Sequence, residues 1–129
     1  MIVVGYTPDR YGSAALEHAI AEATLRGTPL LVINATKGDS LADPSFAPSE
    51  GLRDLDDHLA GSGVEYTVEQ SVGAEVADTL LDAMEADAAD LLVIGIRHRT
   101  PVGRLLLGST AQRLILNCPK PVLAVKPAD

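Results

Sequence analysis

Residues 95–110 concentrate the groups in this chain that best suit the binding of an anion. Glycines at 95, 103 and 108 let a backbone approach a phosphate closely. Ser109 and Thr110 stand where a helix is predicted to begin, and the free N–H groups and positive dipole end of a helix favour anions. The segment also holds three arginines that can add charge-assisted hydrogen bonds: Arg97, Arg99 and Arg104. It therefore predicts an anion-binding loop.

A structural role is equally open for the same residues. Ser109 and Gln112 have the spacing of a capping box, in which Ser109 serves only the helix. Gly108 then provides a tight turn, and the arginines pair with surface acids. Neither common phosphate motif is present, because the chain has no G-x-x-x-x-G-K-[ST] run and no G-x-G-x-x-G after its first predicted strand.

Charge is distributed unevenly along the chain. The 129 residues carry a formal net charge of −8, yet residues 91–128 contain six basic residues and no acid. A general nucleic-acid binder is usually basic overall, so we expect no nucleic-acid partner. A basic loop on an acidic body favours a small anionic ligand instead.

No residue pattern argues for catalysis or for a metal site. His18 and His58 fall in predicted helices and are expected at the surface, and one cysteine with three scattered histidines lacks the spacing of a zinc site. Ser109 has no general base near it in sequence. Asp9 has the chemistry to coordinate Mg²⁺ beside a phosphate, although turn formation after Pro8 is the commoner role. We therefore expect no enzyme activity.

The predicted elements alternate between strands and helices. Apolar runs predict buried strands at 1–5, 30–35, 91–94 and 122–125, and an alternating run predicts a half-exposed strand at 64–68. Amphipathic spacing predicts helices at 13–26, 49–60, 74–88 and 109–117. Gly27 and Gly61 are expected to end the first two helices. Residues 37–48 are expected to form a loop.

Apolar strands that alternate with helices indicate a parallel sheet covered on both faces, which right-handed crossovers turn into a three-layer α/β sandwich. In such sheets ligands bind outside the carboxyl ends of the strands, where the loops begin at Tyr6, Thr36 and Gly95. We predict a single domain over residues 1–129. We also predict a cytoplasmic location, because the amino-terminal residues lack a signal-peptide pattern and no apolar segment reaches the ~20 residues that span a bilayer.

Residues 95–109 resemble the signature of the universal stress protein family: a glycine, two residues, a second glycine, nine residues, and then Gly-Ser or Gly-Thr. Gly95, His98 and Gly108-Ser109 occupy this frame with the spacing intact. The resemblance extends over nearly the whole chain, through Ser13-Ala14-Ala15-Leu16, Val72-Gly73-Ala74-Glu75-Val76, Asp90-Leu91-Leu92-Val93-Ile94-Gly95 and Cys118-Pro119-Lys120-Pro121-Val122-Leu123-Ala124-Val125.

Membership of that family implies a five-stranded parallel sheet in the order 3-2-1-4-5. It also implies a homodimer, usually paired along the last strand, with Val122, Leu123 and Ala124 at the subunit contact. Such pairing covers an apolar edge strand that would otherwise be an aggregation site.

In the family members that bind ATP, an acid at the end of the first strand contacts the nucleotide. The backbone at the end of the second strand meets the adenine, and the glycine loop with its Ser or Thr holds the phosphates. The resemblance carries these roles to Thr7, Ala35, Gly95, His98, Gly108, Ser109 and Thr110, and Arg97 joins them on the charge argument. Mg²⁺ is expected only together with ATP.

Two positions depart from the family pattern: Thr7 stands where the family usually has Asp, and His98 replaces the second glycine. The imidazole of His98 could block the phosphates, bind them when protonated, or lie in solvent. The expected function is that of a dimeric, ATP-binding stress-response or regulatory protein. One alternative is a nucleotide-independent dimerisation and protein-interaction module of the same fold. Fold analogy alone suggests another, a slow nucleotide hydrolase or transferase.

Overall fold

The structure is a computed structural model, and it describes residues 1–36, 47–96 and 107–128. Its elements are β1 (Ile2–Gly5), α1 (Arg10–Arg26), β2 (Leu30–Thr36), α2 (Ser49–Ala60), β3 (Tyr66–Val72), α3 (Val76–Met84), β4 (Leu91–Gly95), α4 (Ser109–Asn117) and β5 (Val122–Val125). These five strands form one parallel sheet in the order β3-β2-β1-β4-β5. The expected α/β class and the strand order 3-2-1-4-5 are thereby confirmed.

Helices cover both faces of the sheet, as the apolar strands predicted. On one face α1 and α2 pack against side chains that include Val4, Val32 and Val93. On the other face α3 and α4 pack against Val3, Ile33 and Leu92 among others. Because successive side chains of a strand point to opposite faces, neighbouring strand residues supply both apolar layers.

Cap residues set the bounds of α1. The helix begins three residues earlier than predicted, because the carboxylate of Asp9 accepts a hydrogen bond from the N–H of Gly12 at 2.9 Å and so caps the first turn. Gly27 ends the helix in the left-handed conformation (φ 62°), as predicted. The predicted bounds of α2 and α4 are confirmed.

The predicted bounds of β3 were wrong. The strand runs from Tyr66 to Val72 rather than over 64–68, because it pairs with β2 from Leu30 opposite Tyr66 to Thr36 opposite Val72. Pairing with β2 therefore extends β3 beyond residue 68, through polar residues whose sequence pattern does not predict a strand. Burial alternates from Tyr66 to Glu69, as expected of a half-exposed strand, and this alternation is interrupted at Gln70.

The predicted carboxyl end of α3 was also wrong. The helix stops at Met84 instead of 88, and the next two N–H groups bond to carbonyls only three residues back: Glu85 to Asp82 at 3.2 Å and Ala86 to Ala83 at 3.4 Å. This tightening of the last turn is a common way for a helix to end. It leaves the chain free to turn into β4, where Asp90 N–H bonds to the carbonyl of Met1 at 2.9 Å.

Candidate functional site

A cavity of about 570 Å³ opens at the carboxyl ends of β1, β2 and β4. Its floor is apolar, and it includes Ile33, Leu80, Ile94 and Leu114. Its rim includes the turn after β1 and the first turns of α1 and α4. The volume lies in the range of small-molecule sites, and the position is the one where sheets of this winding bind ligands. The location predicted from the order of the elements therefore coincides with a cavity.

The cavity brings together five of the eight predicted site residues: Thr7, Ala35, Gly95, Gly108 and Thr110. Ser109 is exposed at the start of α4 and is not among the residues that line the cavity. Arg97 and His98 lie outside the described residues, as do Arg99, Arg104 and most of the predicted 37–48 loop. The structure therefore places the backbone part of the predicted site and leaves its cationic side chains undescribed.

The end of β2 presents backbone groups to the cavity. Pairing of β1 with β2 ends at Gly5 and Ile33, and the Tyr6 N–H makes the next bond, to the carbonyl of Ile33 at 2.9 Å. Alternate residues of a strand direct their N–H and C=O groups to the same side. The N–H and C=O of Ala35 therefore point toward the β1 side of β2, at a level of the sheet where β1 has already ended. They are available there to a planar ligand that needs one donor and one acceptor.

The amino terminus of α4 lies at the cavity rim without a side-chain cap. Gly108 precedes the first turn, and its carbonyl accepts the N–H of Gln112 at 3.0 Å. Within the described part of the chain, the N–H groups of Ser109, Thr110 and Ala111 make no hydrogen bond. The capping-box interpretation of Ser109 and Gln112 is therefore wrong. Three free N–H groups and the helix dipole give this end of the cavity a positive potential.

Two glycines allow backbone segments to meet beneath the cavity. A Cβ atom at Gly95 would lie 2.3 Å from the carbonyl oxygen of Tyr11, and one at Gly12 would lie 1.7 Å from the carbonyl oxygen of Thr7. Both contacts are far below the normal approach of a side chain to a backbone atom. Gly95 is thus required where β4 meets α1, a packing role that its interpretation as part of an anion loop did not include.

Polar side chains follow β1 along the rim. The hydroxyl of Thr7 donates to Asp9 Oδ1 at 2.7 Å, which places Asp9 in the turn role expected of it, and Asp9 also caps α1, which was not predicted. Burial raises the pKa of the Tyr6 phenol, and the charge of Asp9 raises it further, so Tyr6 remains a hydroxyl donor at neutral pH. The Arg10 guanidinium lies 5.1 Å from the centre of the Tyr11 ring and donates to its hydroxyl at 3.1 Å.

Sequence reasoning missed the tyrosines and Arg10 as candidates. The chain has only three tyrosines, one phenylalanine and no tryptophan. Two of the tyrosines, Tyr6 and Tyr11, line the cavity. The scarcity of aromatic residues was the available signal, because a tyrosine combines an apolar ring with a hydroxyl group that a ligand can contact.

A buried amide connects the cavity to its surroundings. Asn34 is fully buried, and its Nδ2 donates to the Tyr6 carbonyl at 2.8 Å. Its Oδ1 accepts from the Ala47 N–H at 2.7 Å and from Gln70 Nε2 at 3.0 Å. Gln70 also donates to the Ala47 carbonyl at 2.9 Å. Asn34 thereby connects the turn after β1, Ala47 ahead of α2, and β3 in one network, which no sequence pattern had indicated.

The remaining polar clusters indicate no metal site. Across residues 1–36, 47–96 and 107–128, no group of three or more His, Cys, Asp or Glu side chains is placed to hold a metal ion. His58 lies at the surface and contacts Glu17 at 2.6 Å, and His18 is exposed, as predicted for both histidines. No helix in the same ranges is long and apolar enough to cross a membrane.

Comparison with known proteins agrees with the fold. The profile of the universal stress protein family matches residues 1–126. A universal stress protein of Mycolicibacterium smegmatis is 60% identical over 127 residues, with 98% of each chain covered. The structure of a universal stress protein from Archaeoglobus fulgidus superposes with a TM-score of 0.78 at 33% identity, over 97% of each chain.

Two further solved structures contain nucleotides. A universal stress protein from Archaeoglobus fulgidus in complex with dAMP has a TM-score of 0.66 at 26% identity, over 97% of this chain and 95% of that one. A universal stress protein in complex with cAMP has a TM-score of 0.74 at 25% identity, over 99% and 98%. With the family profile and the 60% identical relative, these similarities show that the chain belongs to the universal stress protein family.

Proposed function

We propose that the cavity at the carboxyl ends of the strands binds an adenine nucleotide, and that the protein acts as a nucleotide-binding stress-response or regulatory protein rather than as an enzyme. The observation that carries the proposal is a cavity of about 570 Å³ with the backbone groups of Ala35 on one side and the uncapped start of α4 on another. The family members solved with dAMP and with cAMP support a ligand of this class.

The proposed orientation of the nucleotide follows from the chemical groups at the two ends of the cavity. Adenine offers an edge with one donor and one acceptor, which matches the N–H and C=O of Ala35. Phosphoryl oxygens match the free N–H groups at Ser109 and Thr110, and Gly108 lets them approach. Arg97 and His98 belong to this proposal on the sequence argument alone. Mg²⁺ would accompany the phosphates of ATP.

Gly108 offers a test that leaves protein packing intact. A Cβ built at Gly108 meets no atom of residues 1–36, 47–96 and 107–128 within 4 Å, and its φ of −65° suits any residue. We therefore expect Gly108→Val to leave the melting temperature within a few degrees of the original protein, because the branched side chain enters open space. ATP affinity should fall about tenfold or more, because the side chain occupies the approach of the phosphates to α4.

Isothermal titration calorimetry with ATP, ADP, AMP and cAMP, with and without Mg²⁺, measures this effect. Gly61→Val is the matched control, because Gly61 is exposed after α2, has a φ of −80° and does not line the cavity. Absence of heat for every nucleotide at millimolar concentration with the unchanged protein would reject nucleotide binding. Equal affinity of Gly108→Val and the unchanged protein would reject the placement of phosphates at α4.

We also propose that the chain forms a homodimer along β5, and the two sheet edges support this choice. The β3 edge exposes Glu69 and, just before the strand, Glu65, whereas β5 has no charged residue. Acidic side chains on an edge strand discourage pairing with another chain. Val122, Leu123 and Ala124 are only partly buried, and α4 just before them exposes Leu116 by 80%.

The backbone of β5 provides the test of dimerisation. The carbonyls of Pro121 and Val125 accept hydrogen bonds from Leu92 in β4 and from Ile96 just after it, so the N–H of Ala124 faces the free edge. We expect Ala124→Pro to keep the sheet intact and to remove a donor that a partner strand needs. Sedimentation velocity should then show the mass of one chain instead of two.

The other edge strand supplies a control for this substitution. In β3 the N–H of Val72 also faces outward, since Gly73 N–H bonds to the carbonyl of Thr36 in β2 at 2.9 Å. Val72→Pro should therefore leave the sedimenting mass unchanged. A monomeric unchanged protein, or a dimer that survives Ala124→Pro, would reject association through β5.

A further inference from the structure

Tyr11 lies at the rim of the cavity, apart from the two apolar layers of the core. Among the described residues, Tyr6 and Tyr66 pack against the layer formed with α1 and α2, whereas Tyr11 belongs to neither layer. Tyr11 is half-buried and lines the cavity. Core packing therefore does not account for this aromatic residue, and its apolar ring and its hydroxyl are available to a ligand.

The backbone contact of Tyr11 places the residue at one end of the cavity. Its carbonyl oxygen lies so close to Gly95, at the end of β4, that a Cβ there would approach it to 2.3 Å. Ala35 is in β2, and β1 separates β2 from β4 in the sheet. Neighbouring strands are about 4.8 Å apart, so the strands that carry Ala35 and Gly95 are about 10 Å apart. A nucleotide spans a comparable distance from base to phosphates. With its adenine at Ala35, it brings its phosphates to the end of the cavity that Tyr11 lines.

The hydroxyl of Tyr11 has a proton to donate. Arg10 Nη2 donates to the hydroxyl oxygen at 3.1 Å, and the guanidinium lies 5.1 Å from the centre of the ring. Arg10 is exposed and is not among the described residues that line the cavity, so this donor approaches from outside. Within the described part of the chain, the hydroxyl itself donates to no acceptor. Because a donor already occupies the oxygen, the proton is left for a group inside the cavity, and the bond from Arg10 polarises it.

We propose that the Tyr11 hydroxyl donates a hydrogen bond to a phosphoryl oxygen of the bound nucleotide, and that Arg10 is a positioning residue that fixes the direction of this hydroxyl. The inference rests on the proposed nucleotide binding. Tyr11 adds a side-chain donor to the free N–H groups at the start of α4, so the phosphates are held from two sides. A hydrogen bond from a hydroxyl to a charged oxygen is about twice as strong as one between neutral groups.

Conservative substitutions separate the hydroxyl from the ring. Tyr11→Phe removes only the hydroxyl, and because Tyr11 packs against neither apolar layer, the melting temperature should stay within a few degrees of the original. Tyr66→Phe is the matched control, because the Tyr66 hydroxyl donates to Asp56 Oδ1 at 2.7 Å and Tyr66 does not line the cavity. Arg10→Gln tests the positioning role. Arg53→Gln is its control, because it makes the same charge change at an exposed site on α2.

Calorimetry measures the affinity of each variant for ATP, and phosphorus NMR records the resonances of the bound ATP. Tyr11→Phe should bind ATP about tenfold more weakly than the unchanged protein, the usual effect of one hydrogen bond to a charged group. At least one phosphorus resonance of the bound ATP should shift in this variant. Arg10→Gln should weaken ATP binding by about threefold or more, whereas both controls should stay within about twofold of the unchanged protein.

The outcomes distinguish this inference from the proposed function. If the unchanged protein binds no ATP, nucleotide binding itself is rejected, and the role of Tyr11 with it. If Tyr11→Phe binds ATP as tightly as the unchanged protein, the Tyr11 contact is overturned while nucleotide binding stands. Weaker binding with every phosphorus resonance in place would assign the hydroxyl to the base or the sugar and overturn the phosphate contact. Equal affinities of Arg10→Gln and Arg53→Gln would overturn the positioning role of Arg10.

Discussion

Replacement of Gly12 by alanine is expected to lower the free energy of unfolding by about 3 kcal/mol or more, above the usual range for an overpacked core. The added Cβ would lie 1.7 Å from the carbonyl oxygen of Thr7, and 2.5 Å and 2.6 Å from its nitrogen and carbonyl carbon. These are backbone atoms and cannot rotate away. Relief requires α1 to move off the turn that follows β1, which also displaces the capping bond from Gly12 to Asp9.

The expected loss of stability is opposite in sign to the usual effect of replacing glycine by alanine in a helix. Inside an unobstructed helix, replacing glycine by alanine stabilises by up to about 1 kcal/mol, so a destabilised variant reports the close approach itself. Urea unfolding followed by circular dichroism measures the difference. Gly61→Ala is the control, because its nearest contacts would be ordinary ones at 3.7 Å, and its stability should change by less than about 0.5 kcal/mol. A Gly12→Ala variant as stable as this control would contradict the packing of α1 on the β1 turn.

The layered fold was predictable because its strongest signals are local. Four-residue apolar runs such as 91–94 are typical of strands that are buried on both faces of a parallel sheet. Gly27 and Gly61 end their helices as expected. The order of the strands, in contrast, came from the family resemblance, because periodicity does not tell which strands are neighbours. β3 was misplaced for the same reason, since its polar half is a strand only through its pairing with β2.

The position of the candidate site was also predictable, but the residues that build it were only partly so. A parallel sheet with reversed winding binds ligands outside the carboxyl ends of its strands, and this rule led to the loops that border the cavity. The close approaches at Gly12 and Gly95 depend on how α1 meets β1 and β4, which is a property of the assembled fold. Ser109, the strongest candidate by motif, does not line the cavity, whereas Tyr11 does.

Asn34 shows why buried polar residues escape sequence analysis. It lies within an apolar run, 30–36, where the strand signal comes from its neighbours. Its importance comes from three partners that are distant in sequence: Tyr6, Ala47 and Gln70. Such residues are recognised only when the hydrogen bonds of the folded chain are known.

Replacement of Asn34 by alanine is expected to cost about 2–4 kcal/mol of stability, because it leaves the Tyr6 carbonyl and the Ala47 N–H without their partner in a buried region. ATP affinity should fall as well. Without the amide, the Tyr6 carbonyl is free to take the N–H of Ala35, which is the group proposed to meet the adenine. Urea unfolding measures the first effect and calorimetry the second, with affinity taken well below the unfolding transition.

Asn117→Ala is the matched control for this substitution, because Asn117 is exposed and makes one side-chain bond, to the carbonyl of Arg113 at 2.9 Å. It should change stability by less than about 0.5 kcal/mol. Gln70→Ala completes a double-mutant cycle, and coupling of about 0.5 kcal/mol or more with Asn34→Ala is expected because the two side chains share a hydrogen bond. If the changes in unfolding free energy of the two single variants simply add in the double variant, Gln70 is not coupled to Asn34. An Asn34→Ala variant as stable as the unchanged protein would show that other contacts hold the turn after β1. The N–H and C=O of Ala35 would then be unpaired only because β1 ends before them, and not because of Asn34.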